Sequence, residues 1–228
     1  MAKPEVTIAI DKAEVFYRLP AYASGVIPTD VDEFLNSVSR FSSVQERELL
    51  ESDRTKVHPI NYHAIVRVTP LEVVGGVSTN NKYEWLVYQR PEKTEGETRL
   101  AGNHSIGLGG HPDGVDVVYN DNKSINLLAS MYLTAAREIN EEIDLNVRLQ
   151  ELKFQGLIYD PSNSVGLYHL GLFGIIFVPA DAEILSCEKE IIDPHFVDIN
   201  ELATSTKYNF ENWSKMALQG YFPKTEQA

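Results

Sequence analysis

The sequence predicts an α/β or α+β fold, a mixed β-sheet covered on its faces by helices, and three observations carry that expectation. From Tyr62 onward, β-branched and aromatic runs recur at Tyr62–Val68, Tyr83–Gln89, Phe154–Tyr159 and Tyr168–Val178. Two stretches show the three-or-four apolar spacing of an amphipathic helix. Glycine-rich turns separate these segments, and a sheet flanked by such helices buries its apolar faces against them.

In chain order, Val6–Ile10 alternates as a strand, Val31–Phe41 carries helical apolar spacing, and Val44–Glu51 is a charged helical stretch. No repeat, low-complexity tract or Pro/Gly/Ser-rich linker interrupts the chain. Residues 1–57 therefore read as an N-terminal extension packed on a main domain of residues 58–228. Within that domain the first helix is expected at Ile125–Ile143, where Leu128, Tyr132, Ala135, Ile139 and Ile143 form one apolar stripe. Between the glycines and this helix, Tyr119-Asn120-Asp121-Asn122-Lys123 offers neither helix nor strand a buried face and reads as an exposed loop. The segment His195–Leu202 reads as a strand followed by a helix start. A second helix, Phe210–Leu218, places Phe210, Trp213, Met216 and Ala217 on one side.

Composition narrows the functional classes. The chain has 228 residues, 43% hydrophobic, with 20 Lys and Arg against 33 Asp and Glu and a formal charge of −13. That is enough chain to bury its own core. The acidic balance argues against duplex nucleic acid as a partner, because such binding rests on Lys and Arg neutralising phosphates. The longest apolar stretch, Leu167–Ala180, is interrupted by His169 and two glycines and is too short for a membrane helix. The N-terminus lacks a basic and apolar secretory pattern, so a cytoplasmic protein without membrane contact is expected. Its single cysteine, Cys187, fits a reducing compartment and reads as a passive side chain. Small anionic substrates remain compatible with the charge if a cation or a local Arg and Lys cluster bridges them. Oligomeric state is left open, a homodimer included.

The chemically informative segment is REINEEIDL, Arg137–Leu145. If Ile139 and Ile143 face the core, Glu138, Glu141 and Glu142 stand at i, i+3 and i+4 and share one helix edge. Three clustered carboxylates repel one another unless a hard divalent cation such as Mg²⁺ or Mn²⁺ turns the repulsion into coordination. The bland alternative is a solvated acidic face in which Arg137 pairs with Glu141. Just upstream lies HSIGLGGHPDGVD, His104–Asp116, whose glycines let backbone approach a ligand closely or leave a carbonyl open to a cation.

Together these residues resemble the signature of the Nudix hydrolases, G-x5-E-x7-R-E-U-x-E-E-x-G-U, with U a bulky aliphatic residue. The match runs through Gly110, Arg137, Glu138, Ile139, Glu141, Glu142 and Leu145. Three positions depart from it. Asp116 stands where the family has its first Glu, residues 117–136 replace the x7 spacer with a longer Asn- and Asp-rich stretch, and Asp144 replaces the Gly that makes the turn after the helix. Further blocks, PINYHAIVR, LVYQR, GLIYDPSNSVGLYHLGL and NFENWSKMAL, look like those of a bacterial MutT-like subgroup described as predicted phosphoesterases.

The resemblance implies a Nudix-type α/β/α sandwich and hydrolysis of a diphosphate bond, in a nucleoside diphosphate linked to another moiety or a related small phosphorylated substrate. It implies Mg²⁺ or Mn²⁺ on Glu138, Glu141, Glu142 and the Gly110 carbonyl, with Arg137 orienting the glutamates. The general base is open between Glu142 and the loop acids Glu188 and Glu190. Arg90, at the end of a strand, and Arg99, in the following polar loop, are candidates to meet a phosphate bidentately, and His104 and His111 are candidates for substrate contact. His169 reads as a sheet histidine. Tyr83, Trp85, Tyr159 and Tyr168 are available to stack on a base, although strand aromatics mostly pack in cores. Two other readings stand beside hydrolysis: a binding or regulatory module with a degenerate signature, and a diphosphate isomerase, for which Cys187 lacks a matching motif.

Overall fold

A computed structural model describes residues 5–20, 23–50, 52–74, 77–92, 100–149, 152–163 and 166–221. In chain order the principal elements are β1 (Val6–Asp11), α1 (Lys12–Arg18), β2 (Gly25–Pro28), α2 (Val31–Val38), β3 (Ser42–Glu46), α3 (Arg47–Leu50), β4 (Lys56–Val74), β5 (Val77–Gln89), β6 (His104–Ser105) and β7 (Gly107–Leu108). They continue with α4 (Leu127–Glu142), β8 (Ile143–Leu145), β9 (Phe154–Tyr159), β10 (His169–Pro179), β11 (Ile184–Cys187), β12 (Ile192–Asp198), α5 (Ile199–Thr204) and α6 (Asn212–Tyr221). Two compact units result. One comprises Met1–Tyr62, Gly109–Glu138 and Phe154–Gly174, and the other His63–Leu108, Ile139–Lys153 and Ile175–Ala228.

In the first unit, β1 pairs antiparallel with β3, setting Ile8 opposite Val44, and also with the start of β4. β9 lies between β2 and the first half of β10, again antiparallel. Helix α2 starts where the Asp30 carboxylate accepts the Glu33 N–H at 2.9 Å, and buries Val31, Phe34, Leu35 and Val38. Those side chains join Ile8, Ile10, Val15, Val57, Leu127, Met131, Leu157 and Leu172 in one core. The expected helix over Val44–Glu51 is largely replaced by strand β3, and only Arg47–Leu50 is helical. The antiparallel ladder with β1 pairs the backbone groups of β3 that point toward it, and this outweighs a weak local propensity.

In the second unit β5 lies between β12 and the later part of β4, with β6 on β5 and β7 on β4. Its core gathers Ile65, Leu86, Tyr88, Leu108, Ile139, Ile143, Ile176 and Val178. The expected strands at Tyr62–Val68 and Tyr83–Gln89 are the middle of β4 and the end of β5, and β9 coincides with its expected run.

Helix α4 begins two residues later than expected. Asn126 Oδ1 accepts the Ala129 N–H at 3.0 Å, and Ser39 Oγ accepts the Leu127 N–H at 3.2 Å, so two of the orphan donors of its first turn are satisfied. Its most buried early residues are Leu127 and Met131 rather than Leu128 and Tyr132, while Ala135, Ile139 and Ile143 are buried as the spacing predicts. Residues 117–136 are taken up by a tight hairpin and the first turns of this helix. In the hairpin Tyr119 bridges Ile125, Asn120 and Ser124 share a backbone hydrogen bond, and Lys123 adopts φ 65°. Tyr119–Lys123 is exposed throughout, as its composition requires. Among the described residues no helix is long and apolar enough to cross a membrane.

Candidate active site

The guanidinium of Arg137 organises the signature. Its Nε donates to Asp116 Oδ1 at 3.0 Å and Nη2 to Asp116 Oδ2 at 2.7 Å, a fork on a carboxylate that is almost wholly buried. Nη2 also meets the His111 carbonyl at 3.2 Å, and Nη1 pairs with Glu138 Oε1 at 3.0 Å. Asp116 further accepts from Thr134 Oγ1 at 3.2 Å and from the Asp113 N–H at 2.9 Å, which caps the short 3₁₀ turn Gly114–Asp116. Burial pushes the Asp116 carboxyl upward, but the Arg137 and Asp113 hydrogen bonds, the guanidinium charge and Thr134 together hold it below the usual carboxylate range. The residue standing in place of the family's first Glu thus anchors the arginine.

The glycine segment passes directly under this helix. Gly109 has φ 130°, and a side chain there would collide with the Asn61 carbonyl. At Gly110 a Cβ would lie 2.8 Å from the Glu138 carboxyl group, so only glycine leaves that carboxylate room against the loop. The Gly110 carbonyl accepts the Asn61 N–H at 3.0 Å, which leaves it one further lone pair. Asn61 is itself tied to α4 through Nδ2 and the Met131 carbonyl at 3.1 Å.

Glu138, Glu141 and Glu142 occupy the last turns of α4, Glu141 exposed and Glu142 half-buried. Beyond them the chain enters β8 directly. Asp144 is extended there and pairs with Ser186, so no left-handed turn is formed where the family has Gly. The β8–β11 pairing brings the Glu188 N–H to the Glu142 carbonyl at 3.0 Å. Burial, Glu190 and Glu141 raise the Glu188 carboxyl, with Lys189 opposing them. Glu190 is exposed and pairs with Lys189 at 3.3 Å. Cys187 is exposed on β11, its Sγ 3.4 Å from the Ile191 carbonyl.

The remaining candidates scatter. Arg90 pairs with the buried Glu211 at 3.0 Å, whose other oxygen accepts from Ser105 Oγ at 2.7 Å. Arg99 lies outside the described residues. His104 Nδ1 accepts the Asn209 N–H at 3.2 Å, and the ring packs edge-on against Tyr208 and Phe210. Burial, then the neighbouring His169, Arg47 and His58, hold the His111 imidazole well below its usual range. It is thus a neutral ring, unlike a cation poised to pair with phosphate. Trp85 is buried, and so is Tyr159, whose ring centroid lies 4.7 Å from that of Phe16. His169, expected as an ordinary sheet histidine, opens β10 with its ring centroid 5.1 Å from those of both His58 and His111. No local spacing links residues 58, 111 and 169, so this grouping leaves no trace in the sequence.

No protein-family profile matches the chain. The protein YmaB of Bacillus subtilis (strain 168) is 26% identical over 218 residues, covering 94% of this chain and 96% of YmaB. The crystal structure of Tm1382, described as a candidate Nudix hydrolase, superposes with a TM-score of 0.69 at 23% identity, covering 95% of this chain and 97% of Tm1382. The chain has the Nudix fold. Within this α+β fold the segment that resembles the Nudix signature forms the glycine loop, the Asp116–Arg137 fork and the acidic end of α4, which is the order of parts that the resemblance implies. Fold by itself does not assign chemistry.

Proposed function

We propose that this protein is a divalent-cation-dependent hydrolase of a phosphoanhydride bond in a small phosphorylated substrate, a nucleoside diphosphate linked to another moiety being the leading class. The Arg137 fork carries this reading. A guanidinium fixed by Asp116 and paired with Glu138 serves no need of the apolar core, yet it holds one glutamate of the signature against the glycine loop. Glu138, Glu141 and Glu142 present hard oxygen donors, and Gly110 stands against the first of them, a set suited to Mg²⁺ or Mn²⁺. When bound, such a cation screens the charge of a diphosphate and orients the attacking water.

The chain's own groups supply the rest. Arg137 positions Glu138 through their ion pair. A general base must accept the proton of water, and the raised Glu188 carboxyl, set beside the end of α4 by β11, suits this better than Glu190 with its lysine partner. Glu142 is the alternative base. Arg90 and Arg99 are proposed for the phosphates, and His111, as a neutral ring, for a hydrogen bond rather than an ion pair.

The direct test is chromatographic detection of the nucleotide and phosphorylated products of diphosphate cleavage from a panel of nucleotide sugars, dinucleoside polyphosphates, ADP-ribose and oxidised nucleotides, with and without Mg²⁺. At least one substrate should turn over only with the cation. Glu141→Gln and Glu142→Gln should each lose hydrolysis while keeping the wild-type circular dichroism, because both change a solvent-accessible carboxylate without changing its size. Near-wild-type turnover of either variant at saturating metal would remove that glutamate from the site.

A further inference from the structure

We infer that His58, His111 and His169 form a binding site for a borderline transition-metal cation of the Zn²⁺ class, distinct from the carboxylates of α4. The three residues converge from β4, from the loop after β7 and from the start of β10. Each offers a ring nitrogen, and the three nitrogens lie within 4.8 Å of one another. A tetrahedral zinc holds imidazole nitrogens about 3.3 Å apart, so modest side-chain rotation closes the set.

Burial gives the cluster its second argument. His58 is wholly buried, and neither of its ring nitrogens makes a hydrogen bond of good geometry among the described residues, the Leu50 backbone acting on it only weakly; His111 Nε2 likewise lacks a partner there. Buried polar nitrogens ordinarily find partners, and a cation shared with His169 would supply one to His58 and to His111. Neutral imidazole suits Zn²⁺, Co²⁺ or Ni²⁺, whereas Mg²⁺ prefers oxygen, so the two sites would not compete for one ion.

The backbone supports the geometry independently. The His58 N–H donates to the Tyr168 carbonyl at 2.7 Å, which ties β4 to the residue before His169. His111 follows Gly110 directly, and its own carbonyl is held by Arg137. A cation on the three rings would therefore brace the glycine loop in addition to the guanidinium, a structural or regulatory contribution to the loop that carries Gly110.

The test uses the full chain after chelation and dialysis, titrated with Co²⁺ and then Zn²⁺, and reads visible absorbance, bound metal per chain and thermal midpoint. We expect one Co²⁺ per chain with the strong absorbance of a four-coordinate site, displaced by Zn²⁺ and not by excess Mg²⁺. Zn²⁺ should raise the midpoint. His169→Gln, at a half-buried position, and His58→Gln should abolish the signal, whereas the control His195→Gln, on β12, should keep it. If His58→Gln fails to fold, His169→Gln decides. Absence of Co²⁺ binding by the wild-type chain would overturn the site, as would undiminished binding by His169→Gln, which would place the ion on other groups. The readout is metal binding, so its outcome is independent of whether the chain hydrolyses diphosphates.

Discussion

The Asp116–Arg137 pair makes two demands at the level of single residues. Because the folded-state carboxyl of Asp116 is held below its ordinary value, the pair's stabilisation is fully present above the unfolded carboxylate pKa of about 3.9 and is lost as pH falls through the lower folded value. Asp116→Asn should lower stability at neutral pH by about 1–3 kcal/mol, since the guanidinium keeps its place and its Glu138 pair but loses the buried charged partner. Its thermal midpoint should also fall less steeply than that of the wild type on acidification below about pH 4. Equal acid dependence in both proteins would show that another carboxylate governs that limb. Gly110→Ala probes the neighbouring contact. The added methyl meets the tip of a flexible glutamate, so the fold should survive, but Glu138 must move and the Mg²⁺ concentration for half-maximal activity should rise several-fold. An unchanged metal dependence would remove Glu138 from the cation site.

At the scale of elements, the hairpin between the glycine loop and α4 should separate specificity from chemistry. Tyr119–Lys123 is exposed and closed by its own backbone hydrogen bonds, while the turns that hold Ser39, Asn126 and Leu127 lie beyond it. Replacing residues 119–123 with a Gly-Ser turn should therefore leave the helix start and the metal affinity intact. We expect relative kcat/KM among substrates to shift, read from the same substrate panel at fixed Mg²⁺. Equal loss for every substrate together with weaker Mg²⁺ binding would instead make the hairpin a support of the metal site.

For the whole molecule, the N-terminal residues are the sharpest test of how stability is distributed. Ile8, Ile10, Val15, Phe34, Leu35 and Val38 sit in the same core as Leu127, Met131 and Leu157, and each buried side chain of this kind contributes about 1.5–3 kcal/mol. Six of them rival the entire net stability of a typical domain, about 5–15 kcal/mol. A chain lacking residues 1–57 should thus fail to fold cooperatively, with weak near-ultraviolet dichroism and strong binding of a hydrophobic dye. A cooperative thermal transition in that truncated chain would show that the core forms without them.

What the sequence by itself determined was whatever depends on near neighbours. β-branched and aromatic runs placed the middle of β4, the end of β5, and β9 and β10, apolar spacing placed α4 to within two residues, and REINEEIDL put three carboxylates on one turn-and-a-bit of helix, because these follow from near-neighbour chemistry and backbone geometry. A polar run such as Tyr119–Lys123 likewise announces an exposed turn without any knowledge of its surroundings. Tertiary structure decided the rest. β3 is a strand because β1 supplies its ladder, Asp116 is an anchor because the fold returns Arg137 to it, and Asp144 is extended because β11 pairs with β8. His58, His111 and His169 meet only when three distant segments are packed together, and no pattern of spacing records a contact whose sole cause is the folding of the chain between them.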